Sequence, residues 1–151
     1  MKVGASRIED RLAPSEPRYK SRGEAQIGRL LDRYGIPFFY EWPLKVDVGG
    51  RERVWHPDFT LFSYRGLVLE YAGMPDRGDY MAGIRKKEQV YARNNVPALF
   101  VYPQDLRGPS WPTQVVDKIR DTYHMNFGRA TYRSAGPRWY SCWAPVRMKY
   151  G

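Results

Sequence analysis

Apolar residues recur at helical spacing in three segments of the chain, and each recurrence predicts a helix. The first segment covers residues 24–34 and is preceded by Ser21, which forms with Glu24 the Ser-x-x-Glu spacing of a capping box. Its apolar positions are Ile27, Leu30, Leu31 and Tyr34. The second segment covers residues 79–94, and one of its faces carries Tyr80, Ile84, Lys87 and Tyr91. The third segment covers residues 113–123.

Shorter aromatic and apolar runs, separated by turn sequences, predict the strands. Three of them, at residues 38–46, 53–62 and 67–71, form a predicted antiparallel meander. A continuous apolar run at residues 97–102 is typical of a strand that is buried on both faces. The order α-β-β-β-α-β-α predicts a mixed α/β fold of the α+β class, in which helices flank a central mixed sheet within one domain.

Composition separates a central core from two flanks. Residues 1–20 are polar, basic and interrupted by prolines, which indicates an N-terminal arm. Residues 21–124 contain the predicted helices and strands of the core. From Thr122 to the end there are five basic residues, seven aromatic residues and no acidic ones. We therefore predict that residues 125–151 form a basic and aromatic extension packed on the same domain.

The charge of the chain favours an anionic partner. The sequence has 25 basic and 16 acidic residues, for a formal charge of +9. A field of this size favours nucleic acid, although a solvated basic surface gives the same balance. The aromatic residues of the C-terminal segment either stack on bases or cover the core. The candidate nucleic-acid contacts are Lys86, Arg129, Arg133, Arg138 and Arg147.

Several classes of protein are disfavoured by the sequence. No apolar run approaches the roughly 18 residues of a membrane span, and the first residues lack the apolar stretch of a secretion signal. The single cysteine, Cys142, excludes an intramolecular disulfide and a multi-cysteine zinc site. We therefore expect a cytoplasmic protein without a membrane partner.

Two carboxylates lie where a plain buried sheet would not place them. Asp58 is inside a predicted strand, and Glu70 follows three apolar residues. Carboxylates on adjacent strands can hold Mg²⁺ for phosphodiester hydrolysis, although each could also face solvent. A turn centred on Tyr64 with an odd residue count sets Asp58 opposite Glu70 on one face of the sheet. A two-residue turn would put them on opposite faces.

Two further charged residues lie on helix faces that should turn inward. Glu24 shares the face of Ile27 and Leu31, where it could reach the metal site through water or serve only as a capping residue. Lys87 lies on the inward face of the second helix, whereas Lys86 is rotated about 100° away and should be solvated. A cation near the attacked phosphate would stabilise the developing negative charge.

The combination of these features resembles the core of the PD-(D/E)XK, or restriction-endonuclease-like, nucleases. It covers somewhat more than half of the chain, from Ser21 to Leu106, and includes the helix with Glu24, the phrase Pro57-Asp58-Phe59 and the strand ending at Glu70. The size and order are similar to those of small stand-alone domains of this superfamily and of short phage junction-resolving endonucleases.

The resemblance implies that Asp58 and Glu70 bind Mg²⁺, with Mn²⁺ as a substitute, and that the backbone carbonyl of Tyr71 completes the metal shell. The family's usual lysine, two residues after the glutamate, is replaced by Ala72. Some relatives supply this lysine from the following helix, and Lys87 matches such a migrated lysine.

The resemblance predicts a divalent-metal-dependent DNA endonuclease, with Glu24, Asp58, Glu70 and Lys87 as catalytic residues. Its substrates are expected among branched or processed DNA in recombination or repair, and junction cutting would favour a homodimer. The alternatives are a non-catalytic DNA-binding module on the same fold, for which Ala72 is the main support, and a structural or assembly protein. RNA is a further substrate class that the sequence leaves open.

Overall fold

Three helices and six strands make up the described part of the chain, residues 16–127 of a computed structural model. The helices are α1 (Arg22–Arg33), α2 (Gly78–Arg93) and α3 (Trp111–Phe127). The strands are β1 (Phe38–Tyr40), β2 (Leu44–Val48), β3 (Arg51–Trp55), β4 (Phe59–Leu61), β5 (Leu67–Tyr71) and β6 (Ala98–Val101). Short 3-10 turns follow β4 at Phe62–Tyr64 and β6 at Pro103–Leu106.

The central sheet has four strands in the order β1-β4-β5-β6. β4 runs antiparallel to both β1 and β5, whereas β6 is parallel to β5 and is reached through α2. The sheet is therefore mixed and carries helices, which confirms the predicted α+β class.

The first two predicted strands are each divided into two. Residues 38–46 become β1 and β2, and residues 53–62 become β3 and β4, with Pro43 and Pro57 in the gaps. Proline has no N–H to give to a β-ladder, so pairing is interrupted at these positions. The inner pieces, β2 and β3, form a separate hairpin.

The hairpin is attached to the end of α2 by one side chain. Asn94, the residue that caps α2, donates from Nδ2 to the Asp47 carbonyl at 2.9 Å and accepts from the Asp47 N–H at 2.8 Å. Gly49 and Gly50 form the hairpin turn with φ of +61° and +82°, which suits glycine. The hairpin and α2 therefore pack as a unit.

Two apolar clusters cover the two faces of the sheet. The first unites α1 and α3 with the sheet residues Phe59, Leu61, Leu67, Leu69 and Val101. The second unites the hairpin and α2 with the sheet through Leu44, Val46, Val68, Val90, Tyr91 and Val96. Alternate residues of β5 thus face different clusters, as the two-residue period of a strand requires.

Most predicted faces are confirmed, with two corrections. Ile27, Leu30 and Leu31 are buried on α1, but Tyr34 is the residue that caps the helix and is 41% exposed. The strand predicted at residues 97–102 is not buried throughout, because β6 lies at the edge of the sheet and Ala98, Leu99 and Phe100 are only half-buried. No helix among residues 16–127 has the length and apolar character needed to cross a membrane.

Two glycines within helices predict opposite effects of the same substitution. A Cβ at Gly23 of α1 would lie 2.1 Å from the Tyr71 ring, whereas a Cβ at Gly83 of α2 would meet nothing within 4 Å. We expect Gly23→Ala to lower the free energy of unfolding by roughly 1–3 kcal/mol because the ring has to move. Gly83→Ala should raise it by about 0.5–1 kcal/mol. Urea unfolding of both variants measures this, and equal shifts would contradict the packing of Tyr71 on α1.

Candidate active site

The register between β4 and β5 decides where the two carboxylates lie. Phe59 is opposite Leu69 and Leu61 is opposite Leu67. Asp58, predicted inside a strand, instead immediately precedes β4, and the register brings it beside Glu70, whose charge acts on it. The connecting turn is centred on Tyr64, the odd-length alternative of the sequence analysis. It closes through left-handed Arg65 and Gly66, with φ of +53° and +74°. Asp58 and Glu70 therefore share one side of the sheet.

Glu70 is a buried carboxylate held by two side chains of α2. Its side chain is 4% exposed, and its Oε2 accepts from Lys87 Nζ at 3.1 Å. Its Oε1 accepts a short hydrogen bond from the Tyr91 hydroxyl. Burial and the negative charge of Glu70 raise the pKa of Tyr91 well above its usual value, so this hydroxyl keeps its proton and acts as the donor.

Asp58 is bonded to the backbone of the neighbouring strand. Its Oδ2 accepts from the Tyr71 N–H at 2.7 Å, and its Oδ1 accepts no hydrogen bond from the described residues. Because N–H and C=O of one strand residue point towards the same neighbour, the Tyr71 carbonyl lies on the side of Asp58. The structure thus brings together Asp58, Glu70, Lys87 and the Tyr71 carbonyl.

Glu24 lies at the N-terminus of α1 and is bonded to residues other than these. Its Oε1 accepts from the Ser21 hydroxyl at 2.8 Å, and its Oε2 accepts from the Lys20 N–H at 3.3 Å and from the Tyr40 hydroxyl. The Ser21 hydroxyl in turn accepts from the Glu24 N–H at 3.1 Å, so the predicted helix cap is present. Glu24 makes no hydrogen bond to Asp58 or Glu70 and acts on Asp58 through its charge.

Asp58 lies in the field of two further carboxylates, and the net effect of its surroundings disfavours its ionised form. Burial, together with the charges of Glu70 and Glu24, raises the pKa of Asp58 to about 7, against the lowering effects of the Tyr71 N–H and of Lys87. A carboxyl in this state is stabilised in its ionised form by any added cation. The electrostatics therefore favour a positively charged ligand beside Asp58.

The donor set suits a hard divalent cation. Mg²⁺ binds through one or two carboxylates and retains several waters, and it accepts backbone carbonyl oxygens as well. Asp58, Glu70 and the Tyr71 carbonyl are oxygen donors of these types. Within residues 16–127 there is no group of three or more His, Cys, Asp or Glu side chains that could hold a metal ion.

The lysine that the family places two residues after the glutamate has no equivalent on the strand. Ala72 is fully buried, and its N–H donates to the Val101 carbonyl at 2.8 Å. Lys87 approaches Glu70 from α2 instead, with 42% of its side chain exposed. Its ammonium therefore reaches the carboxylate while part of the side chain borders solvent.

The candidate nucleic-acid contacts lie apart from this group or outside the described residues. Lys86 is exposed on α2, as its rotation from Lys87 predicts. The remaining candidates, Arg129, Arg133, Arg138 and Arg147, lie outside residues 16–127.

Three hydroxyl donors of the site have no role in the sequence analysis, and one of them, Tyr80, donates to the Tyr71 carbonyl at 3.5 Å. Tyr40 binds Glu24, and Tyr91 binds Glu70. Tyr91 follows Lys87 by four residues on the inward face of α2, and this spacing is the signal that could have linked it to the same carboxylate. Tyr40 carries no comparable signal, because its contact joins β1 to α1.

Comparison of the chain with models of protein families, with curated proteins and with solved structures finds no match.

The raised pKa of Asp58 predicts a pH-dependent stability in EDTA. A carboxyl whose folded pKa exceeds its unfolded value of 3.8 binds more protons when folded, so stability falls as pH rises from about 4 to about 7. Asp58→Asn should remove this loss and raise the free energy of unfolding at pH 8 by roughly 1–4 kcal/mol. Asp121→Asn, at an exposed position of α3, is the matched control. Urea unfolding at pH 4 and pH 8 measures the effect, and equal behaviour of both variants would contradict it.

The hydroxyl of Tyr91 should contribute to folding through Glu70. Tyr91→Phe leaves one oxygen of a buried carboxylate without its donor, which costs roughly 1–3 kcal/mol of unfolding free energy. Tyr64→Phe removes a hydroxyl that makes no hydrogen bond among the described residues and should change stability by less. Thermal unfolding measures the loss of stability in both variants. A loss in Tyr64→Phe that equals or exceeds the loss in Tyr91→Phe would contradict the prediction.

Proposed function

We propose that this protein is a Mg²⁺-dependent endonuclease that hydrolyses phosphodiester bonds of DNA, on a restriction-endonuclease-like core. The observation that carries the proposal is the proximity of Asp58, just before β4, to Glu70 on β5, with Lys87 at 3.1 Å from Glu70. The element order and the residues of the predicted motif support the same fold and activity.

The carboxylates have distinct roles in this proposal. Asp58 and Glu70 hold the cation, with the Tyr71 carbonyl as a further oxygen donor. A Mg²⁺ ion held by these residues would neutralise charge at the phosphate and lower the pKa of a bound water. Tyr91 keeps Glu70 oriented through its hydroxyl, and the Tyr71 N–H does the same for Asp58. Glu24 adds negative charge that favours the cation.

Lys87 supplies the positive charge that this type of hydrolysis requires beside the metal. Its ammonium is anchored at Glu70 and its side chain is 42% exposed, so it is placed between the buried carboxylate and an incoming phosphate. There it orients the attacking water and stabilises the additional negative charge of the transition state. The lysine comes from α2 because Ala72 fills the strand position.

DNA is the proposed substrate because the chain has a charge of +9 and the site is built to offset phosphate charge. The second candidate function is a DNA-binding module without catalysis. The observation that favours it is Ala72, which is fully buried at the position two residues after Glu70 where the nucleases that the chain resembles carry a lysine. The two functions differ in their response to metal.

Cleavage assays distinguish the two functions. The full chain is incubated with duplex, single-stranded, flapped and four-way-junction DNA in Mg²⁺, Mn²⁺ or EDTA. We expect metal-dependent cutting that Asp58→Asn, Glu70→Gln and Lys87→Met each reduce by about a hundredfold or more. The matched controls are Asp121→Asn and Lys118→Met, which make the same chemical changes at exposed positions of α3, away from the candidate site and from the candidate nucleic-acid contacts.

If Asp58→Asn cuts DNA as well as the wild type does, the reaction does not take place at this site. DNA binding without cutting in any metal would instead select the binding module. Added Mg²⁺ should also raise the melting temperature of the wild type and not that of Asp58→Asn, because a ligand stabilises only the form that binds it.

A further inference from the structure

A groove outside the carboxylate site runs along α1 to the start of α3. It has a volume of about 880 Å³ and is lined by Tyr19, Lys20, Ser21, Arg22, Ala25, Gln26, Arg29, Leu30, Arg33 and Trp111. Four of these residues are basic and none is acidic. Its floor is apolar, since Leu30 is buried and Tyr19 packs against the first cluster.

The arginines form a stripe along the helix. Arg22, Arg29 and Arg33 are offset by 0, 7 and 11 residues, which places them on one face of α1, and all three are exposed. At 1.5 Å per residue, the distance along the helix from Arg22 to Arg33 is about 16 Å. This length spans several phosphates of a nucleic-acid strand.

The arginines of the stripe are available to pair with an anionic ligand. Within residues 16–127, Arg22 and Arg33 have no acidic partner. Arg29 pairs with Glu16 at 3.0 Å, but both side chains are about half exposed or more, so the pair is weak. Lys20 pairs with Glu41, and its side chain is 69% exposed. An anionic strand would therefore find at least two uncompensated arginines.

Trp111 provides an aromatic surface at the other wall of the groove. It is half-buried at the start of α3, and its ring contacts no other aromatic ring among the described residues. Gln26 Nε2 donates to the Leu106 carbonyl at 3.3 Å, which ties α1 to the turn before α3 and holds the two walls together. A basic stripe facing an aromatic ring is the arrangement that binds unpaired bases.

One end of the groove adjoins the proposed active site. The Lys20 N–H donates to Glu24 Oε2 and, at 3.1 Å, to the Tyr40 hydroxyl. Glu41, then Glu24 and Asp58, raise the pKa of Lys20 through their negative charges, so Lys20 lies within the electrostatic reach of Asp58. A strand in the groove thus leads towards the carboxylates.

We propose that this groove holds a single-stranded segment of the DNA substrate, with phosphates on Arg22, Arg29 and Arg33 and a base on Trp111. The assignment of DNA rests on the proposed function. It specifies that substrate as DNA with an unpaired segment, such as a flap or an open junction, rather than an uninterrupted duplex.

Binding in EDTA tests the groove without cleavage. Fluorescence anisotropy of the full chain is measured with labelled single-stranded, flapped and blunt duplex DNA over a range of salt. Arg22→Ala/Arg29→Ala/Arg33→Ala should weaken single-strand and flap binding by about tenfold and lower the salt slope by about 2. The control with the same change in charge is Arg51→Ala/Arg53→Ala/Arg85→Ala, at exposed positions of β3 and α2.

The outcomes decide between the groove and a general charge effect. Equal losses in the two triple variants, or an equal loss on blunt duplex, would overturn the proposal. So would tighter binding of an RNA strand of the same sequence. Circular dichroism of each variant shows that a loss of binding does not reflect unfolding.

A crosslinking experiment tests Trp111 in the unchanged protein. A single-stranded oligonucleotide containing 5-bromodeoxyuridine is irradiated with the wild type, and the modified peptide is mapped. We expect the crosslink in the peptide that contains Trp111, and crosslinks confined to other peptides would overturn its role.

The two proposals can fail separately. If the protein binds DNA as expected but cuts no DNA, the proposed nuclease function fails and the proposal for the groove is retained. If the protein cuts DNA and the arginine variants bind DNA as the wild type does, the proposal for the groove fails and the proposed nuclease function is retained.

Discussion

The pairing of β4 with β5 is the constraint on which the proposed chemistry depends. Because side chains alternate along a strand, the alignment of Phe59 with Leu69 fixes that Asp58 and Glu70 point to the same side. A shift by one residue would bury Asp58 among the apolar residues of the first cluster. The turn at Arg65 and Gly66 therefore determines the site, although neither residue belongs to it. Apolar packing on both faces of β5 holds the alignment, since Leu67, Val68 and Leu69 are almost completely buried.

The concentration of negative charge at Asp58, Glu70 and Glu24 distinguishes the candidate site from the hydrophobic core around it. Buried charges are usually paired, but only Glu70 of the three carboxylates Asp58, Glu70 and Glu24 forms an ion pair with a lysine among the described residues. Hydrogen bonds from the hydroxyls of Tyr91 and Tyr40 and from the Tyr71 N–H stabilise these carboxylates without neutralising their negative charge. The fold thus carries an electrostatic cost at one place, and a bound cation would relieve it. This is the physical link between the buried sheet and the proposed phosphate-directed function.

Sequence patterns predicted the helices, the class of fold and the inward face of α2 that carries Lys87. They left the register open, because it depends on two left-handed residues in a turn of five. They also missed the interruptions at Pro43 and Pro57, since the apolar pattern continues across both prolines. The hydroxyl donors Tyr40 and Tyr91 were absent from the predicted site because their partners are distant in sequence. The stripe on α1 was not predicted, because exposed arginines at helical spacing are equally typical of an ordinary solvated helix face.

The contact of Gly23 with Tyr71 links two parts of the molecule that have different tasks. Tyr71 contributes its N–H to Asp58 and lays its ring on α1, at a spot where the helix has no side chain. A larger residue at position 23 would clash with the Tyr71 ring and could displace Tyr71, whose N–H positions the Asp58 carboxylate. Over evolutionary time the two positions are therefore not independent. A larger residue at 23 would be accepted together with a smaller one at 71, and covariation of this pair among homologues would record the coupling between helix packing and the site.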